Sequence, residues 1–289
     1  MRDFDRAPAP LPPLLYRELV ERALREDLGG YGDLTTDAIV APGRTAQGAV
    51  VARADGRVAG LAVAAAVFRA LDPGVAIHPA AVDGDPVAAG AVLAVVEGDA
   101  RALLAAERTA LNFLGRLAGV ASATARLVEE IADWPARLVC TRKTTPTLRA
   151  LEKHAVRCGG GSNHRFGLDD GVLVKDNHRA LAGGVAAAVE AVRRRLGHMV
   201  KVEVEVDTLE QLDEALRCAV DAVLLDNMSP EDLRRAVEVC RGRCLTEASG
   251  GIRPGRAAAM AATGVDLLSS GWITQSAPAL DVAFDVDLC

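Results

Sequence analysis

The stretch KVEVEVDTLEQLDEALRCAVDAVLLD (201–226) reads as strand, helix, strand. Val202, Val204 and Val206 alternate with Lys201, Glu203 and Glu205, a period of two that puts the valines on one face and the charges on the other. TLEQLDEALRCA (208–219) then takes up the helical period, and AVLLD (222–226) is a second apolar strand. A strand that returns through a helix lies parallel to the first. The same rhythm recurs on both sides, with strands at RLVC (137–140), VLVK (172–175), CLTEA (244–248) and VDLLS (265–269). Helical patterns fill the gaps at 186–197, 229–240 and 254–264. Six such units favour a βα-barrel over an open sheet.

Polar residues gather where these strands end: Thr141-Arg142-Lys143, Lys175-Asp176-Asn177, Glu205, Asp226-Asn227, Glu247 to Gly251, and Ser270-Gly271. In a βα-barrel the carboxyl ends of the strands share one mouth, so this spacing predicts a single site. Glu203 and Glu205 face the barrel interior, where a charge is costly unless it is paired or functional.

The N-terminal half has another texture. A helix is expected over 15–27, then β segments broken by Asp-Gly and Pro turns from 45 to 99, then a long helix over about 101–133. Gly115 and Gly119 weaken that helix unless another backbone packs close. The expected fold class is α/β: a C-terminal βα-barrel with a smaller N-terminal α+β sheet domain. The expected boundaries are a flexible lead-in at 1–14, the sheet domain at 15–117, and the barrel at 118–275. The stretch 276–289 is expected to return as a strand to the N-terminal domain.

Half of the residues are hydrophobic and a quarter charged, which suits a core-forming soluble chain. The net charge of −6 argues against nucleic acid or an anionic membrane as partner. The N-terminus lacks an apolar signal core, and no apolar stretch is long enough to span a bilayer. Six cysteines without a C-x-x-C pair read as reduced thiols, so a cytoplasmic location is expected.

Only four lysines occur among 33 Lys+Arg, and three of them (Lys143, Lys153, Lys175) lie between 143 and 175. The segment 137–179 carries nine Lys/Arg against four Asp/Glu. Arg149, Lys153 and Arg157, at helical spacing, read as a solvated face. Arg142, Lys143, Arg165 and Lys175 sit at strand ends or in Gly-bounded loops, and four cations in one mouth suit a polyanion. Ser249-Gly250-Gly251 and Ser270-Gly271 follow the last strands, where barrels cradle phosphate. Glu205 and Asp226 suit sugar hydroxyls or Mg²⁺. The residues alone leave the reaction open, since a lysine at a barrel strand end also suits an aldolase-type Schiff-base lyase.

TRKTTPTLRALEKHAVRCGGGSNHRFGLDDGVLVKDNH (141–178) resembles the signature of the quinolinate phosphoribosyltransferases. EDLGGYGDLTTD (26–37), ERTALNFLGRLAGVAS (107–122), VEVEVDTLEQLDEAL (202–216), LLDNMSPEDL (224–233) and EASGGI (247–252) extend the resemblance over about 15–285. It implies transfer of a phosphoribosyl group from phosphoribosyl pyrophosphate to quinolinate with loss of carbon dioxide, giving nicotinate mononucleotide for NAD synthesis. It also implies that the βα-barrel is incomplete, Mg²⁺ as cofactor, and a homodimer with shared active sites. By the resemblance, Arg142, His164, Arg165 and Lys175 hold quinolinate with Lys143 nearby, and Arg108 reaches in from the partner subunit. Glu205, Asp226, Ser249, Gly250, Gly251, Ser270 and Gly271 correspond to phosphoribosyl pyrophosphate positions. Lys143, Lys175, Glu205 and Asp226 form the catalytic set, with Glu205 and Asp226 also toward the metal. A paralogue of the same fold acting on another acid is the nearest alternative. Trp272 and Gln275 depart from the small and the basic residue usual in the family.

Overall fold

The computed structural model describes residues 8–287. Its strands are β1 (Thr45–Ala52), β2 (Gly56–Arg57), β3 (Ala76–Pro79), β4 (Pro86–Val87), β5 (Val92–Asp99), β6 (Arg137–Val139), β7 (Val172–Val174), β8 (Val202–Val206), β9 (Ala222–Asp226), β10 (Leu245–Ser249), β11 (Leu267–Ser269) and β12 (Val282–Asp287). Its helices are α1 (Arg17–Leu28), α2 (Leu34–Ile39), α3 (Leu61–Leu71), α4 (Ala100–Glu130), α5 (Arg149–Cys158), α6 (Asp176–Ala182), α7 (Val185–Arg195), α8 (Leu209–Arg217), α9 (Pro230–Cys240), α10 (Ala257–Ala261) and α11 (Trp272–Gln275). Among the described residues no helix is long and apolar enough to cross a membrane. Part of the expected lead-in, residues 1–7, lies outside the described residues.

The chain divides into two compact units. The first comprises residues up to Ala125, Thr145–Gly160 and the chain from Ala277. Its antiparallel sheet has the order β12-β1-β5-β3, and β12 pairs with β1 from Gln47 opposite Asp287 to Ala52 opposite Val282. Gly119 explains how that last segment lies along α4: a Cβ there would sit 2.1 Å from the Pro278 carbonyl oxygen, so only glycine admits the crossing backbone. One turn earlier, the Gly115 carbonyl accepts the Leu280 N–H at 2.9 Å. The two helix-weakening glycines are thus where a second backbone docks.

Thr145–Gly160 belongs to this first unit, which corrects the continuous barrel expected over 118–275. It also corrects the solvated-face reading at Lys153, which is only 3 % exposed beside the buried Glu152 and His154, whereas Arg149 is half-buried and Arg157 is exposed as that reading expects. The cause is ion pairing over long sequence separation. Glu152 receives Arg116 at 2.7 Å and the Thr145 hydroxyl at 2.7 Å, while His154 meets Asp83 at 2.9 Å. Asp83 also accepts the N–H groups of Gly60 and Leu61 at the start of α3. Burial works against the Asp83 carboxylate, but these three donors hold it below the usual carboxylate range.

The second unit, Arg126–Thr144 with Gly161–Ser276, is built on one parallel sheet of order β6-β11-β10-β9-β8-β7. Each strand from β7 to β11 pairs with the next in sequence, and β6 pairs with β11 instead of β7. That order is a cycle with one break, a barrel left open between β6 and β7. The α/β class and the incomplete barrel expected from the sequence are found. Helices restart directly after strands because caps are in place: Thr208 and Ser229 accept the Gln211 and Asp232 N–H groups, and Pro230 opens α9. All five residues of β8 are buried, valines and glutamates alike, as a strand with both faces covered requires.

Candidate active site

The carboxyl ends of the parallel strands surround a cavity of about 740 Å³. Eleven of the thirteen residues named from the sequence line it: Arg142, Lys143, His164, Arg165, Lys175, Glu205, Asp226, Ser249, Gly250, Gly251 and Gly271. Ser270 and Arg108 do not. Ser270 is buried, its hydroxyl donating to the Ile252 carbonyl at 2.8 Å and its N–H to Val139 at 3.0 Å, so it ties two loops together instead of facing a ligand. Arg108 lies in the first unit on α4, exposed, with a loose ion pair to Glu107 at 3.9 Å.

The cationic side is crowded. Burial, then the neighbouring Arg142 guanidinium, pulls the Arg165 pKa below its ordinary value, while Glu203 and Asp170 act the other way. Two guanidinium groups that repel are relieved by a bound anion. Arg165 is fixed at the gap side of the barrel by donating to the Gly171 carbonyl at 2.9 Å. Lys175 directly follows β7 and caps α6, and its N–H is accepted by His178 Nδ1 at 2.9 Å, which orders the strand-to-helix turn. Its ammonium meets Glu205 of the next strand at 2.6 Å. Lys175 is therefore a held cation in an ion pair, an arrangement suited to an anionic ligand more than to an imine-forming amine.

His164 lines the cavity, yet both ring nitrogens are engaged inward. Its Nδ1 accepts the Arg165 N–H at 2.7 Å, which leaves the proton on Nε2 to be donated to Glu203 at 3.0 Å. Glu247 stands 3.5 Å from the same Nε2. Burial, then Glu203, pushes the Glu247 carboxyl up to about 7. The sequence reading placed Glu203 inside the barrel and took Glu247 as a strand end; Glu247 lies within β10, facing inward and buried. This triad underlies the cationic wall.

The acidic side comprises Glu205, buried, and Asp226, half-buried, at the ends of the adjacent strands β8 and β9. Beside them stands the Ser249–Gly251 turn, with Gly250 and Gly251 both in the left-handed region, and Gly271 lines the same cavity. The sequence reading missed Arg253 beside this turn; Thr141 and Asn227, which it placed at the mouth without a role, line the cavity too. Arg253 stood in plain view two residues after the glycines. The two departures from the family pattern, Trp272 and Gln275, line the same cavity.

Cations, acids and a glycine turn thus share one mouth. The family profile "Quinolinate phosphoribosyl transferase, N-terminal domain" matches residues 33–118, and that of the C-terminal domain matches 120–285. The chain belongs to the quinolinate phosphoribosyltransferase family. It is similar, at 41% identity over 275 residues covering 95% of this chain and 94% of the relative, to the probable nicotinate-nucleotide pyrophosphorylase [carboxylating] of Bacillus subtilis. It is 38% identical to quinolinate phosphoribosyltransferase [decarboxylating] 2, mitochondrial, of Nicotiana glauca, covering 94% of this chain and 82% of that one. The solved nicotinate-nucleotide pyrophosphorylase of Francisella tularensis superposes with a TM-score of 0.92 at 38% identity, covering 96% of this chain and 98% of that one. Family membership accounts for the order of motifs along the chain.

Proposed function

We propose that this chain joins quinolinate to phosphoribosyl pyrophosphate and releases pyrophosphate and carbon dioxide, yielding nicotinate mononucleotide for NAD synthesis. The observation that carries the reading is the division of one cavity into a cationic wall (Arg142, Lys143, Arg165, Lys175) and an acidic wall (Glu205, Asp226) beside a glycine turn. The cationic wall grips the two carboxylates and aims the pyridine nitrogen at the ribose C1. The acidic wall faces the ribose, where positive charge develops as pyrophosphate departs. The nitrogen lone pair forms the new bond to C1, and the C1–oxygen pair leaves with pyrophosphate. The quaternised nitrogen then stabilises the electron pair left at ring carbon 2 when its carboxylate departs as carbon dioxide, and a proton replaces it. Glu205 and Asp226 fit Mg²⁺, being hard oxygen donors on adjacent strand ends in one cavity. When bound, Mg²⁺ supplies charge neutralisation to the pyrophosphate.

Incubation with quinolinate, phosphoribosyl pyrophosphate and Mg²⁺ is expected to release carbon dioxide and nicotinate mononucleotide in equal amounts. Nicotinate, lacking the 2-carboxylate, is expected to react at least a hundredfold more slowly, because it leaves cations unpaired. Comparable rates with the two acids reject the reading in favour of a paralogue acting on another acid.

The reading extends to a homodimer in which Arg108 completes the partner's mouth; an exposed arginine with only a loose neighbour supports it. Arg108→Ala and Lys175→Ala dimers are each expected to be inactive. Refolded together, they pair at random, and roughly a quarter of wild-type sites return by symmetry counting. No recovery in mixed dimers confirmed by mass rejects the shared site. The free thiols of Cys140, Cys158, Cys218, Cys240 and Cys244 suit a reducing compartment, and the cytoplasm is the proposed location.

A further inference from the structure

Asn227 has a left-handed backbone, with φ of 53°. Among the described residues only Thr147 and Ala219 share that property outside glycine. Asparagine tolerates this conformation better than other side-chain-bearing residues, yet it remains uncommon and persists where surroundings require it. Here they do. Asn227 directly follows Asp226, the last residue of β9, whose register partner is Ser249 of β10. The Asn227 N–H donates to the Ser249 carbonyl at 3.0 Å, extending the β9–β10 ladder by one bond. The left-handed turn then sends the side chain in two useful directions. Its amide Nδ2 donates to Asp226 Oδ2 at 2.7 Å. Its Oδ1 occupies the space where residue 250 would carry a Cβ, 2.1 Å from that position. Gly250, with φ of 101°, is a glycine for two reasons at once: its own backbone and the Asn227 amide against it.

We propose that Asn227 is the positioning residue of the ribose-phosphate half of the mouth, locking the Asp226 carboxylate to the Ser249–Gly251 turn. One planar amide touches both parts, so neither moves without the other. The proposal rests on the reading of that half as the phosphoribosyl pyrophosphate side. It predicts that substitutions at 227 damage handling of that substrate and leave the cationic wall intact, since Arg165 is held by the Gly171 carbonyl and Lys175 by Glu205.

Two measurements test it. In steady-state kinetics, Asn227→Gly accommodates the backbone but removes the amide. It is expected to raise KM for phosphoribosyl pyrophosphate at least tenfold, with KM for quinolinate within about twofold of wild type. Asn227→Asp keeps the shape but sets a second carboxylate beside Asp226, and a larger rise is expected. Equal effects on both substrates, or no effect on phosphoribosyl pyrophosphate, overturn the proposal. The second measurement needs neither ligand nor activity. Thermal unfolding of Asn227→Gly, Gly250→Ala and the double variant closes a thermodynamic cycle. Gly250→Ala drives a methyl into the Asn227 amide, so it is expected to be much less harmful when residue 227 is already glycine. Additive losses show that the two residues do not interlock and overturn the proposal. Because this cycle is read without substrate, coupled losses beside a wild-type enzyme inert toward quinolinate would fault the assigned reaction and not the lock.

Discussion

The two ends of the parallel sheet carry the same ion pair in different surroundings. At the carboxyl end, Lys175 meets Glu205 at 2.6 Å across β7 and β8; at the amino end, Lys201 meets Asp221 at 2.6 Å just before β8 and β9. The distances match, the partners are the same residue types or one methylene apart, and the strands are neighbours. Lys201 is 83 % exposed, and its partner acid also accepts the Val202 N–H, so the pair serves to fasten a strand start. Lys175 is 47 % exposed, and its partner Glu205 is 11 % exposed, in a cavity with four further Lys/Arg cations and a glycine turn. Geometry of a pair alone therefore assigns no role. What distinguishes the two is whether neighbouring strands deliver complementary groups to the same space, and βα turns do so at only one end of a barrel.

The comparison breaks most visibly by truncating each lysine. Lys175→Ala is expected to lower kcat/KM by a thousandfold or more, as loss of a charge on the substrate does, and with no borohydride-trapped adduct in the wild type. A trapped Lys175 adduct would return the choice to a Schiff-base lyase. A smaller effect is expected from Glu247, which lies between the two ends. Its folded pKa is raised to about 7 from the ordinary 4.5, so the folded state binds more protons than the unfolded one across that interval. The contribution is fully present below about 4.5 and is lost as pH rises to about 7. Chemical denaturation from pH 4.5 to 8 is expected to show this loss, on the order of 1–3 kcal/mol, and Glu247→Gln is expected to flatten it. An unchanged slope in the variant would mean that the buried acid does not titrate there. Smallest of all, Lys201→Ala is expected to change stability by no more than about 1 kcal/mol and to leave turnover within twofold. A large loss of turnover would erase the distinction between the ends.

Much of this arrangement is legible in the residues. Short β-branched runs alternating with helical stretches specify a parallel sheet, and polar residues at every strand end specify a mouth. Gly115 and Gly119 signal a backbone crossing before the crossing segment can be named. The sequence conceals interactions that depend on distant partners. Arg116 reaches Glu152 from 36 residues away, so the burial of Glu152 and Lys153 on α5 is not visible in that helix's own letters. His164 lines the mouth as the sequence reading expects, but its letter does not show that Arg165 N–H and Glu203 engage its two nitrogens. Ser270 reads as part of a phosphate cradle because only the folded loops show its hydroxyl on Ile252. Asn227 is silent because backbone handedness is a property of the turn, not of the letter.

The account stands on the claim that the cationic wall at the carboxyl end recognises a diacid. Titration calorimetry with quinolinate and nicotinate, on the wild type and on Arg165→Ala, measures this without any chemical step. The wild type is expected to bind quinolinate at least tenfold more tightly than nicotinate, with the preference collapsing in Arg165→Ala. Equal affinity for the two acids in the wild type, or an undiminished preference in the variant, would contradict it.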